Sequence, residues 1–354
     1  MAKTPSGKPK APSIKDVAAL AGVSVPTVSR YLNMPERVSE TKRQAIAQAV
    51  SKLGYRPNAI ARALVREQSS QCLVLSSNTT RYGQTQVIQG VETAARAAGF
   101  ALSIALIAEP GSTSAQIRES VQSALDHNPA GVVLLNFDEA SAQALSMIPR
   151  TLPLVSVAGE RNTEIAQISM GEREGGYRVT QHLLQRLAER GIGSSPVHYV
   201  GIPGGGGAEG RYEGWLQACQ EAGVPIPPAV EAGWDVDSAR ETGRILGRKR
   251  GEVKAIFAGN DETAMGVIRG LGDEGLRVPQ DVLVVGFDDH PVARIWNPSI
   301  TTIHQDFQGV GAAAFAMLAP MLEDVSLGRA HGESWQAYQR FEGHLIERES
   351  TVNA

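Results

Sequence analysis

Apolar positions recur at helical spacing in three short runs near the start of the chain and change to strand-like blocks from Cys72 onward. In the first run Val17, Ala18, Leu20 and Ala21 form a helical stripe. Ser13, with Asp16 three residues on, gives a capping-box start. Gly22 ends the run where a turn needs freedom in φ, and Val23 supplies an apolar plug for the corner. Ser24 opens a second helix with Pro26 in its first turn, where a missing N–H costs little. Ser39 opens a third, in which Ala45, Ile46, Ala49, Val50 and Leu53 pack back on the first two before Gly54 stops it. Residues 13–33 therefore predict a helix-turn-helix whose second helix suits the DNA major groove, with Thr27, Ser29, Arg30 and Asn33 carrying its hydrogen-bonding groups. After the turn at 55–58, residues 59–66 are helix-competent but too few to be stable alone.

The later blocks alternate. Strand-like 72–77, 100–107, 130–137 and 153–159 are interleaved with helical patterns at 87–98, 115–126 and 140–148. After a pause near 160–172 a second series runs through a helix at 175–190, a strand at 197–202, helices at 211–222 and 238–250, a strand at 255–259, a helix at 262–274 and a strand at 282–287. Residues 301–303, a helix at 307–322 and a strand-like tail at 337–346 remain to cross back and complete both series. Buried-looking strands alternating with amphipathic helices predict α/β architecture: two doubly wound parallel-sheet lobes with a cleft between them.

Charge separates the helical head from the α/β body. Residues 1–70 hold twelve Lys/Arg and four acids, net +8, which leaves 22 basic and 33 acidic residues, net −11, for 71–354. A basic head on an acidic body is the footprint of a nucleic-acid-binding module and weighs against an ordinary helical hairpin. The basic stretch 1–12 lacks the apolar core of a secretory signal, and no apolar run is long enough for a bilayer span. Cys72 and Cys219 stand far apart with no metal-ligand spacing, so they read as structural thiols in a reducing cytoplasm. The glycine-rich 201–207 lacks the Lys-Ser/Thr of a P-loop and does not match GxGxxG. It fits a loop at a strand's C-terminal end, where open α/β sheets take ligands. With no HExxH, GxSxG or nucleophile–base pair, an α/β enzyme carrying an accessory DNA-binding domain is the weaker alternative.

Six segments in this order resemble the lactose-repressor (LacI) family of bacterial transcription regulators over about residues 13–350: DVAALAGVSVPTVSRYLN, GYRPNAIARAL, RYEGW (211–215), AGNDETAMGV, VLVVGFDD and TTIHQDF. The resemblance implies a dimeric repressor that reads a palindromic operator on double-stranded DNA. It implies no cofactor, only a small-molecule effector, with a carbohydrate fitting these residues and purines and phosphorylated ligands also occurring in the family. It divides the chain into a flexible basic arm (1–12), a helix-turn-helix domain (13–57), a hinge helix and linker (58–70), an N-terminal lobe (71–171 with 300–330) and a C-terminal lobe (172–299 with 331–354).

Val25, Pro26 and Arg30 fall on the family's base-reading positions, Arg30 with a guanidinium suited to guanine O6 and N7. Thr27, Ser29 and Asn33 suit phosphates, which position without specifying. In the hinge, Asn58 begins the segment, Ala61 is small enough for two hinges to approach, and Leu64 matches a leucine wedge that kinks DNA in the minor groove. Arg211, Asn260 and Asp288 match effector-contact positions, and Trp234 an aromatic that covers a sugar ring. Ser77, Asn136, Gln305 and Phe307 complete the implied ligand set. The chain departs from the family at 157–161, where Val-Ala-Gly-Glu-Arg replaces a frequent aspartate, and at Glu174, where an aspartate often precedes the glycines. No leucine heptad follows Arg348, so a dimer is expected over a tetramer.

Overall fold

A computed structural model describes residues 12–55, 69–107, 111–203, 210–329 and 333–352. It divides into two compact units, Met1–Ser70 and Gln71–Ala354. In the first, α1 (Ile14–Ala21), α2 (Val25–Asn33) and α3 (Glu40–Leu53) surround Val17, Val28 and Ile46, all fully buried. Local chemistry sets the ends of these helices. The Asp16 carboxylate accepts from the Ser13 backbone N–H at 2.8 Å and its hydroxyl at 2.7 Å. Gly22 and Gly54 adopt φ of 65° and 60°, which lack of a Cβ permits. Ser24 and Ser39 open their helices without a side-chain cap to the backbone; the Ser24 hydroxyl instead meets that of Thr27 at 2.8 Å. The expected hinge residues Asn58, Ala61 and Leu64 lie outside the described residues.

The second unit opens with β1 (Gln71–Ser76), α4 (Tyr82–Ala97), β2 (Ala101–Leu106), α5 (Ser114–Leu125), β3 (Gly131–Leu135), α6 (Glu139–Leu145), β4 (Leu154–Val157) and β5 (Ala166–Ser169). It continues with α7 (Glu172–Glu189), β6 (Val197–Gly201), α8 (Arg211–Ala222), β7 (Val230–Glu231), α9 (Val236–Arg248), β8 (Ala255–Ala258), α10 (Asp261–Asp273) and β9 (Leu283–Val285). The last elements are β10 (Thr302–His304), α11 (Phe307–Ser326), β11 (Tyr338–Arg340) and β12 (His344–Ile346). One sheet has the order β11-β5-β4-β3-β1-β2 and the other β7-β6-β8-β9, all pairs parallel. Strands such as β3 and β8 are buried along their whole length because helices cover both faces, which is why they read as unbroken apolar runs.

Among the described residues, three helix pairs cross at backbone distance. A Cβ at Gly214 of α8 would lie 2.0 Å from the Arg173 carbonyl oxygen of α7, and one at Gly176 of α7 would lie 2.4 Å from the Arg211 carbonyl oxygen. Gly90 of α4 with Gly311 of α11, and Gly243 of α9 with Gly270 of α10, repeat the arrangement.

The lobe boundaries differ from the expected ones near the C-terminus. Thr302–His304 does not join the first sheet; it pairs antiparallel with His344–Ile346, and Thr301 bridges Val285 of the second sheet. Tyr338–Arg340 leaves the second lobe and closes the edge of the first sheet beside β5. The strand-like tail is thus two strands in two sheets, parted at 341–343. Among the described residues the chain crosses between the sheets three times: before Glu172, before Phe307 and between β11 and β12. β5 also fills part of the stretch at 160–172 where the sequence pattern pauses.

Candidate functional site

The C-terminal ends of both sheets face a cleft of about 950 Å³. The first sheet reverses its strand order between β1 and β3, the switch point where parallel sheets take ligands. Asn136, Phe137 and Asp138 enter the cleft from the end of β3, residues 158–162 from the end of β4, and Asn260 and Asp288 from beyond β8 and β9.

Arg211 forms the floor. As the first residue of α8, held against α7 by the Gly176–Gly214 crossing, its side chain is 8% exposed. It donates to Asp288 at 2.8 Å, to Glu172 at 2.9 Å and to the Gly259 carbonyl oxygen, with its guanidinium 4.0 Å above the Phe287 ring. Burial alone would lower its proton affinity, but Asp288 and Glu172 outweigh that and hold it above its ordinary value. Burial pushes the Asp288 carboxyl up to about 6 against the opposing Arg211 charge. Asp288 also has φ 98°, a costly conformation for a residue with a Cβ, and such strain gathers at ligand sites. Behind it, burial raises the Asp261 carboxyl, and the Asp288 and Asp289 charges add to the shift against hydrogen bonds from Thr302 and the His290 backbone.

The opposite wall is fixed by Gln167, buried on β5. Its amide donates to the carbonyls of Ala158 (3.0 Å), Gly159 (3.2 Å) and Glu160 (2.8 Å). Gly159 leaves the space the Asn136 side chain needs; a Cβ there would lie 2.1 Å from Asn136 Nδ2. Arg161, from the same turn, stacks 4.1 Å over Tyr338 of β11.

Of the sequence-expected ligand residues, Asn136, Arg211, Trp234, Asn260, Asp288 and Phe307 line the cleft. Asn260 is partly committed: its side-chain oxygen caps α10 at Thr263 N–H (2.8 Å) and its amide meets Glu262 at 3.1 Å. Ser77 and Gln305 are not among the lining residues. The Ser77 hydroxyl is spent on the Asp138 carboxylate, and Gln305 is buried in the crossover after β10. Trp234 does not stand bare, because the Arg81 guanidinium lies 3.5 Å over its ring.

Arg81, Tyr82, Asp138, Glu172 and Glu262 also line the cleft and were missed in the sequence. Asp138 had a readable signal, an Asp three residues before Ser141; it caps α6 at Ser141 N–H, 2.9 Å. Arg81 and Tyr82 precede the apolar run from which the helix at 87–98 was expected, yet α4 begins at Tyr82. Among the described residues, seven carboxylates (Asp138, Glu139, Glu160, Glu172, Glu231, Glu262, Asp288) and three guanidiniums (Arg81, Arg161, Arg211) line the cavity, net −4. That field disfavours anions and suits an uncharged polar ligand, with carboxylates to accept from hydroxyls.

On α2, Pro26 and Arg30 are exposed and Thr27 and Ser29 half-buried; Val25 is half-buried against the core of the head, and Asn33 is the last helical residue. Among the described residues no helix is long and apolar enough to cross a membrane, and no group of three His, Cys, Asp or Glu is placed to hold a metal ion.

Residues 13–58 match the model of the bacterial regulatory proteins of the lacI family, and residues 184–351 that of a periplasmic binding protein-like domain. The HTH-type transcriptional repressor PurR of Yersinia pestis bv. Antiqua (strain Antiqua) is 33% identical over 352 residues, spanning 96% of this chain and 97% of that protein. The PurR repressor of Photorhabdus laumondii is 29% identical over 347 residues, spanning 96% and 97%. Among solved structures, a lac repressor dimer bound to operator and the anti-inducer ONPF superposes with a TM-score of 0.81 at 24% identity, covering 97% of this chain and 100% of that one. A complex of the transcriptional regulator CelR with cellobiose gives 0.64 at 26% identity, covering 96% and 99%.

Proposed function

The chain belongs to the lacI family of bacterial regulatory proteins and is a DNA-binding transcriptional repressor of that type; from this premise we propose that it acts in the cytoplasm as a homodimer on a palindromic operator and is switched by a neutral sugar or oligosaccharide in the cleft. The observation that carries the effector reading is the floor of the cleft, where Arg211 and Glu172, at the starts of α8 and α7, and Asp288, beyond β9, converge within 2.9 Å. A guanidinium and carboxylates fixed in this way can fork onto adjacent hydroxyls. The net negative lining argues against phosphorylated ligands. CelR, whose fold is similar, was solved as a complex with the disaccharide cellobiose. Dimerisation is supported by large apolar side chains left exposed on both lobes: Ile104 and Leu106 on the edge strand β2, Val236 and Ile295 on the other lobe.

Switching follows from linkage. A ligand bound by both lobes favours one arrangement of them, and DNA binding by paired heads favours another, so each ligand weakens the other by the same factor. A purine effector is the second reading, favoured by the aromatic rings of Tyr82, Trp234 and Phe307 around the cavity. The test is to select a palindrome from a random DNA library with the full-length protein, then titrate cellobiose, lactose, maltose, hypoxanthine and guanine. A saccharide that weakens DNA binding supports the proposal. A response to the purines alone supports the second reading, and selection of non-palindromic DNA refutes the dimeric arrangement.

A further inference from the structure

Two consecutive residues of the first lobe touch the second lobe across the cleft. Arg81 and Tyr82 stand at the start of α4 in the first lobe. The Arg81 guanidinium carbon lies 3.5 Å from the centroid of Trp234, and the Tyr82 ring meets His290 edge-on with centroids 4.6 Å apart. Trp234 and His290 both belong to the second lobe, on the segments before α9 and after β9. Beside the stacking, the Asp138 carboxylate lies 4.0 Å from the guanidinium, beyond hydrogen-bond reach, and its charge and that of Glu262 add to the attraction that holds Arg81. Its side chain is 25% exposed, so water only partly screens the attraction of the cation for the indole face. Arg81 and Trp234 both line the cavity, so the guanidinium covers an indole face inside the cleft.

We propose that Arg81 is a specificity-determining residue of the cleft. Its guanidinium covers a face of the Trp234 indole, and a ligand ring that stacks on that face must lift it away. Lifting it releases this contact between the lobes, while the Tyr82–His290 contact remains. Asp138 stands ready to receive the displaced cation, which lowers the cost of the exchange. The consequence is selective. A ring that stacks strongly, or that brings several hydroxyls to Arg211 and Asp288, can displace Arg81; a small or weakly stacking ring cannot. Arg81 therefore sets a threshold for entry, and its removal should tighten binding of ring ligands about fivefold or more, the scale of a partly desolvated cation–π contact. The inference rests on the cleft being the effector site.

Two measurements on the full-length protein test it. Acrylamide quenching of tryptophan emission is compared for the wild type, Arg81→Ala, Trp234→Phe and the double variant, with no ligand. The expected result is stronger quenching in Arg81→Ala, with no such increase in the Trp234→Phe background; unchanged quenching in Arg81→Ala overturns the proposal. Calorimetric titration with cellobiose, lactose, maltose, hypoxanthine and guanine then compares the wild type with Arg81→Ala. Tighter binding of a ring ligand, including binding gained only in the variant, supports Arg81 as the displaced occupant. Weaker binding overturns it, since Arg81 would then be a direct donor to the ligand. A panel silent with both proteins removes the effector class proposed above, while the quenching result still decides whether Arg81 occupies the indole.

Discussion

Gly214→Ala gives the sharpest test of how the fold places Arg211. The new Cβ would lie 2.0 Å from the Arg173 carbonyl oxygen and 2.5 Å from the Tyr177 nitrogen, while ordinary contact begins at 3.4 Å. Backbone opposes it in both places, so no side chain can rotate to make room and α8 must move off α7 by about 1.4 Å, the difference between 2.0 and 3.4 Å. Overpacking of this kind costs about 1–3 kcal/mol, and a rigid backbone contact puts this one near the top of the range. For a unit of this size each kcal/mol lowers the melting temperature by roughly 2–4 °C, so a loss of about 6 °C or more is expected by differential scanning calorimetry. Gly272→Ala is the matched control: it lies on α10, is exposed, and has nothing within 4 Å of its ideal Cβ. There the helix propensity of alanine should stabilise by about 0.5–1 kcal/mol. Because Arg211 begins α8, Gly214→Ala should also weaken any effector response through loss of the Arg211–Asp288 geometry. A Gly214→Ala protein that melts with the wild type would show that the helices do not meet as described.

Asp288→Ala should abolish the effector-induced rise in melting temperature while leaving operator binding intact in a gel-shift assay; a surviving rise would move the ligand elsewhere. With the Asp288 carboxyl near 6, effector affinity should fall as pH drops below that value and the acceptor is protonated, a loss that isothermal titration at pH 7.5 and 5 would show. Hydrogen bonds from Arg240 and Arg244 hold Asp273 at about 2, below its ordinary 3.8. The stability it adds is present above pH 4 and lost as pH falls through 2, so Asp273→Asn should flatten acid denaturation over that window. Arg30→Ala should reduce affinity for the selected palindrome by about 1–3 kcal/mol and relax preference at one base pair of each half-site, as measured at constant salt.

The helical head and the alternation of strands and helices are legible in the sequence because their signals are local. Gly22 and Gly54 stop their helices by taking a left-handed φ at the last turn, and a strand covered on both faces must be apolar throughout. The route of the last sixty residues is not local. β11 is three exposed residues, Tyr338–Arg340, whose place beside β5 depends on backbone pairing that leaves no apolar pattern. The cleft shows the same division. Asn260 and Asp288 lie just beyond strand ends that periodicity locates, and Arg211 opens a helix; the resemblance to the family is what assigned the three to a ligand. Gln305 stands out as polar yet is buried in a crossover, and Ser77 is occupied by Asp138; only the assembled structure distinguishes a polar group facing the cavity from one consumed by a neighbour. Arg81 and Tyr82 escaped notice for the converse reason: their partners, Trp234 and His290, are more than 150 residues away in the chain.

The three crossings between sheets also fix an order of events during synthesis. The first sheet is complete only when β11 docks on β5, so a strand finished at Ser169 waits for one that ends at Arg340. At typical elongation rates of about 5–20 residues per second that interval is roughly ten to thirty seconds. Throughout it the nascent chain presents the unpaired backbone edge of β5, while the basic head has already left the ribosome. An unpaired edge is a template for another strand. The repressor therefore passes through a stage in which its DNA-reading helices are formed and its first lobe is open at the side, a stage in which a chaperone would protect the edge and a stop before residue 338 would leave it permanently exposed.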